Sequence, residues 1–127
     1  MNLNTHLAID PQLVGRAVLP EEGKSVVTLE TLPVMAADES GLVHGGFVFG
    51  AADYAAMTAV NHPNVVLGAA EVKFLKPVRV GETIVARAEV VSEQGKKRLV
   101  EVQAFRGEQT VFSGTFTCFV LDKHVLS

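Results

Sequence analysis

The stretch Gly45–Asn61, GGFVFGAADYAAMTAVN, constrains the fold more than any other part of the chain. It is rich in alanine and poor in β-branched residues, and its apolar side chains surround a helical wheel. Such a helix is buried on most sides rather than laid amphipathically on a surface. At 1.5 Å per residue, its about 17 residues would run roughly 25 Å. Gly50 in its interior costs about 1 kcal/mol relative to Ala, which predicts close packing against a sheet. His62-Pro63-Asn64 ends it, because the residue before a proline avoids the α region.

Strand signals flank this helix. Gln12 to Leu19 reads as an edge strand, and Pro20-Glu21-Glu22-Gly23 as the turn that joins it to a strand over Lys24 to Leu32. Beyond the helix, Val65 to Val78 is apolar up to Pro77. Thr83 to Val91 places Ile84, Ala86, Ala88 and Val90 on one face, and Arg98 to Arg106 does the same with Val100, Val102 and Ala104. Thr110 to Leu121 aligns Phe112, Phe116, Cys118 and Val120. Two strands, one buried helix and four more strands in antiparallel succession predict an α+β fold. A curved antiparallel sheet of about six strands would wrap one long central helix. One such sheet covers a helix on one side only, so the remaining apolar face and the sheet edges predict at least a homodimer.

Composition narrows the function classes. The 127 residues suit one domain, 1–127, and 48% hydrophobic against 20% charged residues excludes a disordered chain. A net charge of −3 offers no footprint for nucleic acid. One cysteine, Cys118, excludes an intrachain disulfide, and four scattered histidines lack zinc-ligand spacing, so no metal is expected. MNLNTHLAID is not a secretion signal, and no apolar segment reaches the roughly 20 residues that span a bilayer, so a cytoplasmic location is expected.

Asp53 carries the most chemical information. It is the only side chain charged at neutral pH between Gly45 and Asn61. Burying an unpaired carboxylate costs several kcal/mol, or its pKa rises until it is neutral. That is the signature of a catalytic acid, or of a structural acid hydrogen-bonded across a dimer interface. The run Gly41-Leu42-Val43-His44-Gly45-Gly46 opens the same helix. Its two glycines expose N–H groups at the positive end of the helix dipole, suited to a developing oxyanion, or they merely permit a tight turn. Gly45 and Asp53 stand roughly 12 Å apart along the axis, so they cannot serve one reacting atom from one chain. Either only one of them matters, or the Asp of one subunit meets the helix start of another.

His44-Gly45-Gly46, six residues and then Asp53 resembles the HGG(x)6D signature of hotdog-fold acyl-CoA thioesterases of the phenylacetate-pathway and 4-hydroxybenzoyl-CoA types. Element order extends the likeness over roughly Leu13 to Leu121, and Phe74-Leu75-Lys76-Pro77-Val78-Arg79-Val80-Gly81-Glu82 is similar to the family's strand with its Pro…Gly exit. The resemblance implies a hotdog fold and hydrolysis of an acyl thioester, with coenzyme A as part of the substrate and no other cofactor. It gives Asp53 the role of nucleophile or base. A Gly45 or Gly46 amide of the opposite subunit would polarise the carbonyl, and His44 would shape that end.

Two positions depart from the family pattern. Asp38 stands where relatives place an asparagine, and Leu67, Gly68, Ala69 and Ala70 offer no hydroxyl where relatives often have Ser or Thr. Phe47 would line the acyl pocket, Glu71 is the nearest polar group on that strand, and Lys76 and Arg79 are candidates for the phosphates. Lys96, Lys97 and Arg98 form a second cationic group. The expected partners are an acyl-CoA ligand and a second copy, with a dimer of dimers also open, and neither nucleic acid nor membrane. A non-catalytic acyl-CoA binding or sensing protein is the alternative, and a hydratase using His44 a weaker third.

Overall fold

The computed structural model describes residues 1–127. Its order is α1 (Pro11–Val14), β1 (Arg16–Val18), β2 (Lys24–Glu30), a 3-10 turn (Pro33–Met35), α2 (Gly45–Val60), β3 (Val65–Phe74), β4 (Thr83–Gln94), β5 (Lys97–Arg106) and β6 (Gln109–Val120). The six strands form one antiparallel sheet in the order β1-β2-β4-β5-β6-β3. α2 crosses its inner face and packs mainly on β2, β4 and β5. This is the hotdog arrangement that the resemblance implies.

The small side chains of α2 let it lie close on the sheet. Ala51, Ala52, Ala55 and Ala56 are fully buried against Val27, Leu29, Ile84, Ala86 and Val100. Thr58, also buried, donates to the Tyr54 carbonyl (2.8 Å) and shares a hydrogen bond with Ser25 of β2 (2.7 Å), so neither hydroxyl is left without a partner. The helix stops at Asn61, which takes a left-handed φ of 55° while its N–H bonds to the Met57 carbonyl. Asn61 also holds the N-terminal segment, accepting from the Asn4 amide at 2.7 Å and donating to the Asn2 carbonyl at 2.9 Å.

Three expectations change. The first half of the segment Gln12–Leu19 is a helical turn, not a strand. Asp10 accepts from the Gln12 amide (2.9 Å) and Pro11 occupies the first turn, a cap-and-proline start that outweighs the apolar spacing. The four strands after α2 do not succeed one another in space. β3 crosses to the far edge and pairs with β6, while β4 pairs with β2. Gly50 does not press on the sheet: it is half-exposed, and an added Cβ would meet only the Val14 side chain of α1, at 3.9 Å.

Candidate active site

Asp53 sits on the side of α2 turned toward β6. One turn before it, the Phe49 ring lies 5.5 Å from that of Phe116 and 6.5 Å from that of Phe112 on β6. Its carboxylate is near enough to Cys118 of β6 to help burial push that thiol up to about 12. Asp53 itself is half-buried, but its Oδ1 is buried without any hydrogen-bond partner. Desolvation raises its pKa to about 6. No counter-charge or donor from the same chain compensates it. Cys118, buried with its thiol protonated, is inert.

The helix start is built by packing on both sides of two glycines. A Cβ on Gly45 would press on the Phe74 ring at 3.3 Å, and one on Gly46 would press on the His44 ring at 3.0 Å. His44 is the residue before the helix. Its side chain caps nothing, is exposed, and meets the Phe47 ring edge-on at 6.2 Å. The amides of Gly45 and Gly46 therefore begin the helix with no carbonyl one turn behind them. The preceding loop is stitched in place by His44 N–H to Met35 O (2.9 Å), Val43 N–H to Val78 O (2.8 Å) and Val80 N–H to Gly41 O (2.8 Å). These bonds bring the segment after β3 beside the helix start. A cavity of about 290 Å³ results, lined by Val43, Gly45, Val48, Phe74, Lys76 and Val111 among others.

Gly45, Gly46, His44, Phe47 and Lys76 thus gather at one end of α2, with Asp53 two turns away on the same helix. Arg79 lies beyond, in a separate cleft of about 470 Å³ with Ser40, Leu42, Pro77, Glu82 and Arg106. Asp38 is exposed at that end, where its Oδ1 accepts from the Ser40 amide (2.9 Å) and hydroxyl (2.6 Å), which hold its carboxyl below the usual range. Glu71 goes elsewhere. It pairs with Thr115 on the outer face of the sheet, away from α2, so within one chain it does not join Asp53. Lys97 pairs with Phe119, at the end of the sheet where β3 begins, whereas Gly45 touches Phe74 where β3 ends. About eight residues of strand, roughly 26 Å, separate the second cationic group from the helix start.

Two residues of this region escape sequence reading. Phe74 reads as part of a strand, yet its ring backs Gly45 and packs edge-on to Phe112 at 5.2 Å. Its one signal is a large aromatic at a strand end before Pro77. Arg106 donates to the Pro77 carbonyl at 2.6 Å and lies 3.5 Å from Glu82, a cross-sheet meeting that no local pattern announces.

A central helix in a six-stranded antiparallel sheet, with an unpartnered acid and a glycine-opened helix start, defines a hotdog-fold protein. The chain belongs to the thioesterase superfamily, which matches residues 40–113. Among solved structures, the uncharacterized protein PH1136 of Pyrococcus horikoshii superposes with TM-score 0.98 at 54% identity, over 100% of this chain and 98% of that one. An asparagine-to-aspartate mutant of the phenylacetic acid degradation protein PaaI of Thermus thermophilus gives TM-score 0.79 at 26% identity, covering 87% and 97%. A hypothetical thioesterase of Streptococcus pneumoniae, solved with coenzyme A, shares the fold alone, with TM-score 0.76 at 20% identity, covering 86% and 87%.

Curated relatives are longer than this chain. Methylthioribose-1-phosphate isomerase of Aquifex aeolicus is 54% identical over 123 residues, 96% of this chain but 27% of that protein. Transcription factor FapR of Caldanaerobacter subterraneus subsp. tengcongensis is 30% identical over 116 residues, 91% of this chain and 58% of that one. The chain spans about a quarter of the first and under three fifths of the second. No helix is long and apolar enough to cross a membrane.

Proposed function

We propose that this protein hydrolyses an acyl-CoA, or a related acyl thioester, at a site shared between two copies of the chain. The observation that carries this reading is the buried, unpartnered Oδ1 of Asp53, on the side of α2 turned toward β6, the strand next to the free β3 edge. β3 is ten residues long, and Gly68, Ala69 and Ala70 are exposed along it. A strand edge of this kind supports pairing with a second copy in a homodimer. Such pairing would carry the helix start of the partner subunit toward Asp53, resolving the roughly 12 Å that separates the two features along one helix. The coenzyme A in the pneumococcal fold neighbour supports the ligand class, and a cytoplasmic location accords with that ligand.

In this reading the thioester carbonyl lies against a Gly45 or Gly46 amide of the partner subunit, which stabilises the oxygen as it becomes an oxyanion. Asp53 attacks the carbonyl carbon, or takes a proton from the water that does. The C–S bond breaks, the thiolate takes a proton, and water supplies the hydroxyl of the product acid. With a pKa of about 6, Asp53 is mostly ionised at neutral pH while remaining a stronger base than an ordinary carboxylate. Phe47 and the apolar cavity beside Gly45 would receive acyl chain or pantetheine, and Lys76 would meet a phosphate. His44, exposed beside Phe47, would shape that end. Arg79 would bind phosphate in the adjoining cleft. Asp38, tied to Ser40, is offered as a rim residue of the same site, and Glu71 could enter it only from the partner's side.

Assaying Asp53→Asn and Asp53→Ala on a panel of acyl thioesters tests the assignment. Loss of thiol release on the order of 100-fold or more is expected, and unchanged turnover would exclude the role. The alternative, an acyl-CoA binding or sensing protein, is favoured by the missing hydroxyl on β3 and by the likeness to a transcription factor over part of its length. Acyl-CoA binding by calorimetry, with no thiol released over hours, would select it.

A further inference from the structure

After β3 the chain leaves the sheet and crosses to β4 through Pro77–Glu82, a connection held from two other strands. Pro77 has no N–H, so its carbonyl is the one backbone group it offers, and Arg106 Nη1 of β5 donates to it at 2.6 Å. The same Nη1 lies 3.5 Å from Glu82 Oε1, which accepts the Arg79 N–H at 2.6 Å. Thr31, buried just after β2, shares its hydroxyl proton between the Glu82 carbonyl (2.6 Å) and the Arg79 carbonyl (3.1 Å). Its backbone carbonyl accepts the Gly81 N–H at 3.1 Å. On its other side the connection carries the loop that leads into α2. The Val78 carbonyl accepts the Val43 N–H, the Val80 N–H donates to the Gly41 carbonyl, both at 2.8 Å, and Leu42 pairs with Arg79 as a lone β-bridge. His44 and Gly45 follow directly.

We propose that Arg106, Glu82 and Thr31 are positioning residues for the Gly45 and Gly46 amides. They fix Pro77–Glu82, that connection fixes Gly41–Val43, and the loop fixes where α2 begins. The chemistry of this inference rests on the hydrolase reading above, in which those amides receive the developing oxyanion. Such donors act at about 3 Å, and a displacement on the order of 1 Å can cost about 100-fold in rate. A charged donor suits the task, since its bond to a carbonyl is stronger than that of a neutral group. The two arginines of the cleft thereby divide. The Arg79 side chain makes no hydrogen bond or ion pair within the chain and is free for a ligand, whereas the Arg106 Nη1 is engaged with Pro77 and Glu82.

The test compares Arg106→Met and Glu82→Ala with wild type on an acyl-CoA and on the matching acyl-pantetheine thioester, which carries neither phosphate nor nucleotide. Positioning predicts a loss in kcat of about tenfold or more with KM unchanged on acyl-CoA, and the same factor on the pantetheine thioester. Glu82→Gln keeps an oxygen for the Arg79 N–H and is expected to recover most of the rate that Glu82→Ala loses. A raised KM on acyl-CoA with no effect on the pantetheine thioester would make Arg106 a phosphate ligand and overturn the proposal. Amide hydrogen exchange reads the same clamp without turnover. In Arg106→Met the Val43 and Val80 amides should exchange about tenfold faster, while Ala55 and Ala56 in the buried middle of α2 keep their protection. Unchanged exchange at Val43 and Val80 would overturn the proposal. Should wild type release no thiol from any thioester, the hydrolase reading fails, and the exchange rates alone decide whether these residues hold the helix start.

Discussion

At the scale of single residues, Asp53 lowers the stability of the fold. Its carboxyl has a pKa of about 6 in the folded chain, against about 4 unfolded, so the native state binds the proton more tightly. The penalty is absent below the unfolded value, grows as pH rises from about 4 to 6, and is complete above 6. Asp53→Asn is therefore expected to stabilise the protein by about 2 kcal/mol at pH 7.5 and by little at pH 4, read from urea midpoints at both. A structural acid would give the opposite sign. The same ionisation sets the chemistry: thiol release should fall about tenfold per pH unit below pH 6, in kcat/KM, as the base is protonated. A rate that stays flat down to pH 5 would remove Asp53 from the reaction.

Asp53 was legible because one charge in an all-apolar helix needs no alignment to be noticed. Glu71 was not, since a bulge between Leu67 and Ala69 offsets the alternation of β3 and decides which residues face out. Arg106 and Phe74 enter the site region through long-range pairing, which leaves no mark on neighbouring residues.

Among the elements, α2 was readable to its ends: its apolar circumference, glycine start and His62-Pro63 stop gave Gly45–Val60 within a residue. Alternation likewise gave the inward faces of β4, β5 and β6. It assigns faces but not neighbours, so the passage of β3 to the far edge could not be read from it. Glycines divide by the same logic. Gly50 has room for a methyl group, so Gly50→Ala should stabilise by roughly 0.5–1 kcal/mol through helix propensity. Gly114 on β6 has none: a Cβ there would lie 2.6 Å from the Val72 side chain and 3.0 Å from the Glu71 carbonyl. Gly114→Ala should cost about 1–3 kcal/mol by forcing β3 off β6. Thermal midpoints of the two variants, moving in opposite directions, check both.

For the whole molecule, the expectation of self-association came from an apolar helix that one sheet cannot cover, and the structure adds where the uncovered edge lies. Of the two edge strands, three-residue β1 and ten-residue β3, β3 is the long one, and Phe74 and Leu75 at its end are 55% and 46% exposed beside the helix start. Phe74 backs Gly45, and Asp53 is turned toward β6, the neighbour of that strand, so in the proposed reading both groups lie near the edge a partner would cover.

Subunit mixing tests this most directly. Asp53→Asn lacks the acid; Gly45→Pro/Gly46→Val loses one helix-start amide and shields the other, and proline is tolerated there because His44 already has an extended backbone. Each parent alone should release thiol poorly. After unfolding and refolding together, half the dimers pair one of each, and each such dimer holds one complete site, so about a quarter of wild-type activity should return. A mixture no more active than its parents would contradict a site shared between copies.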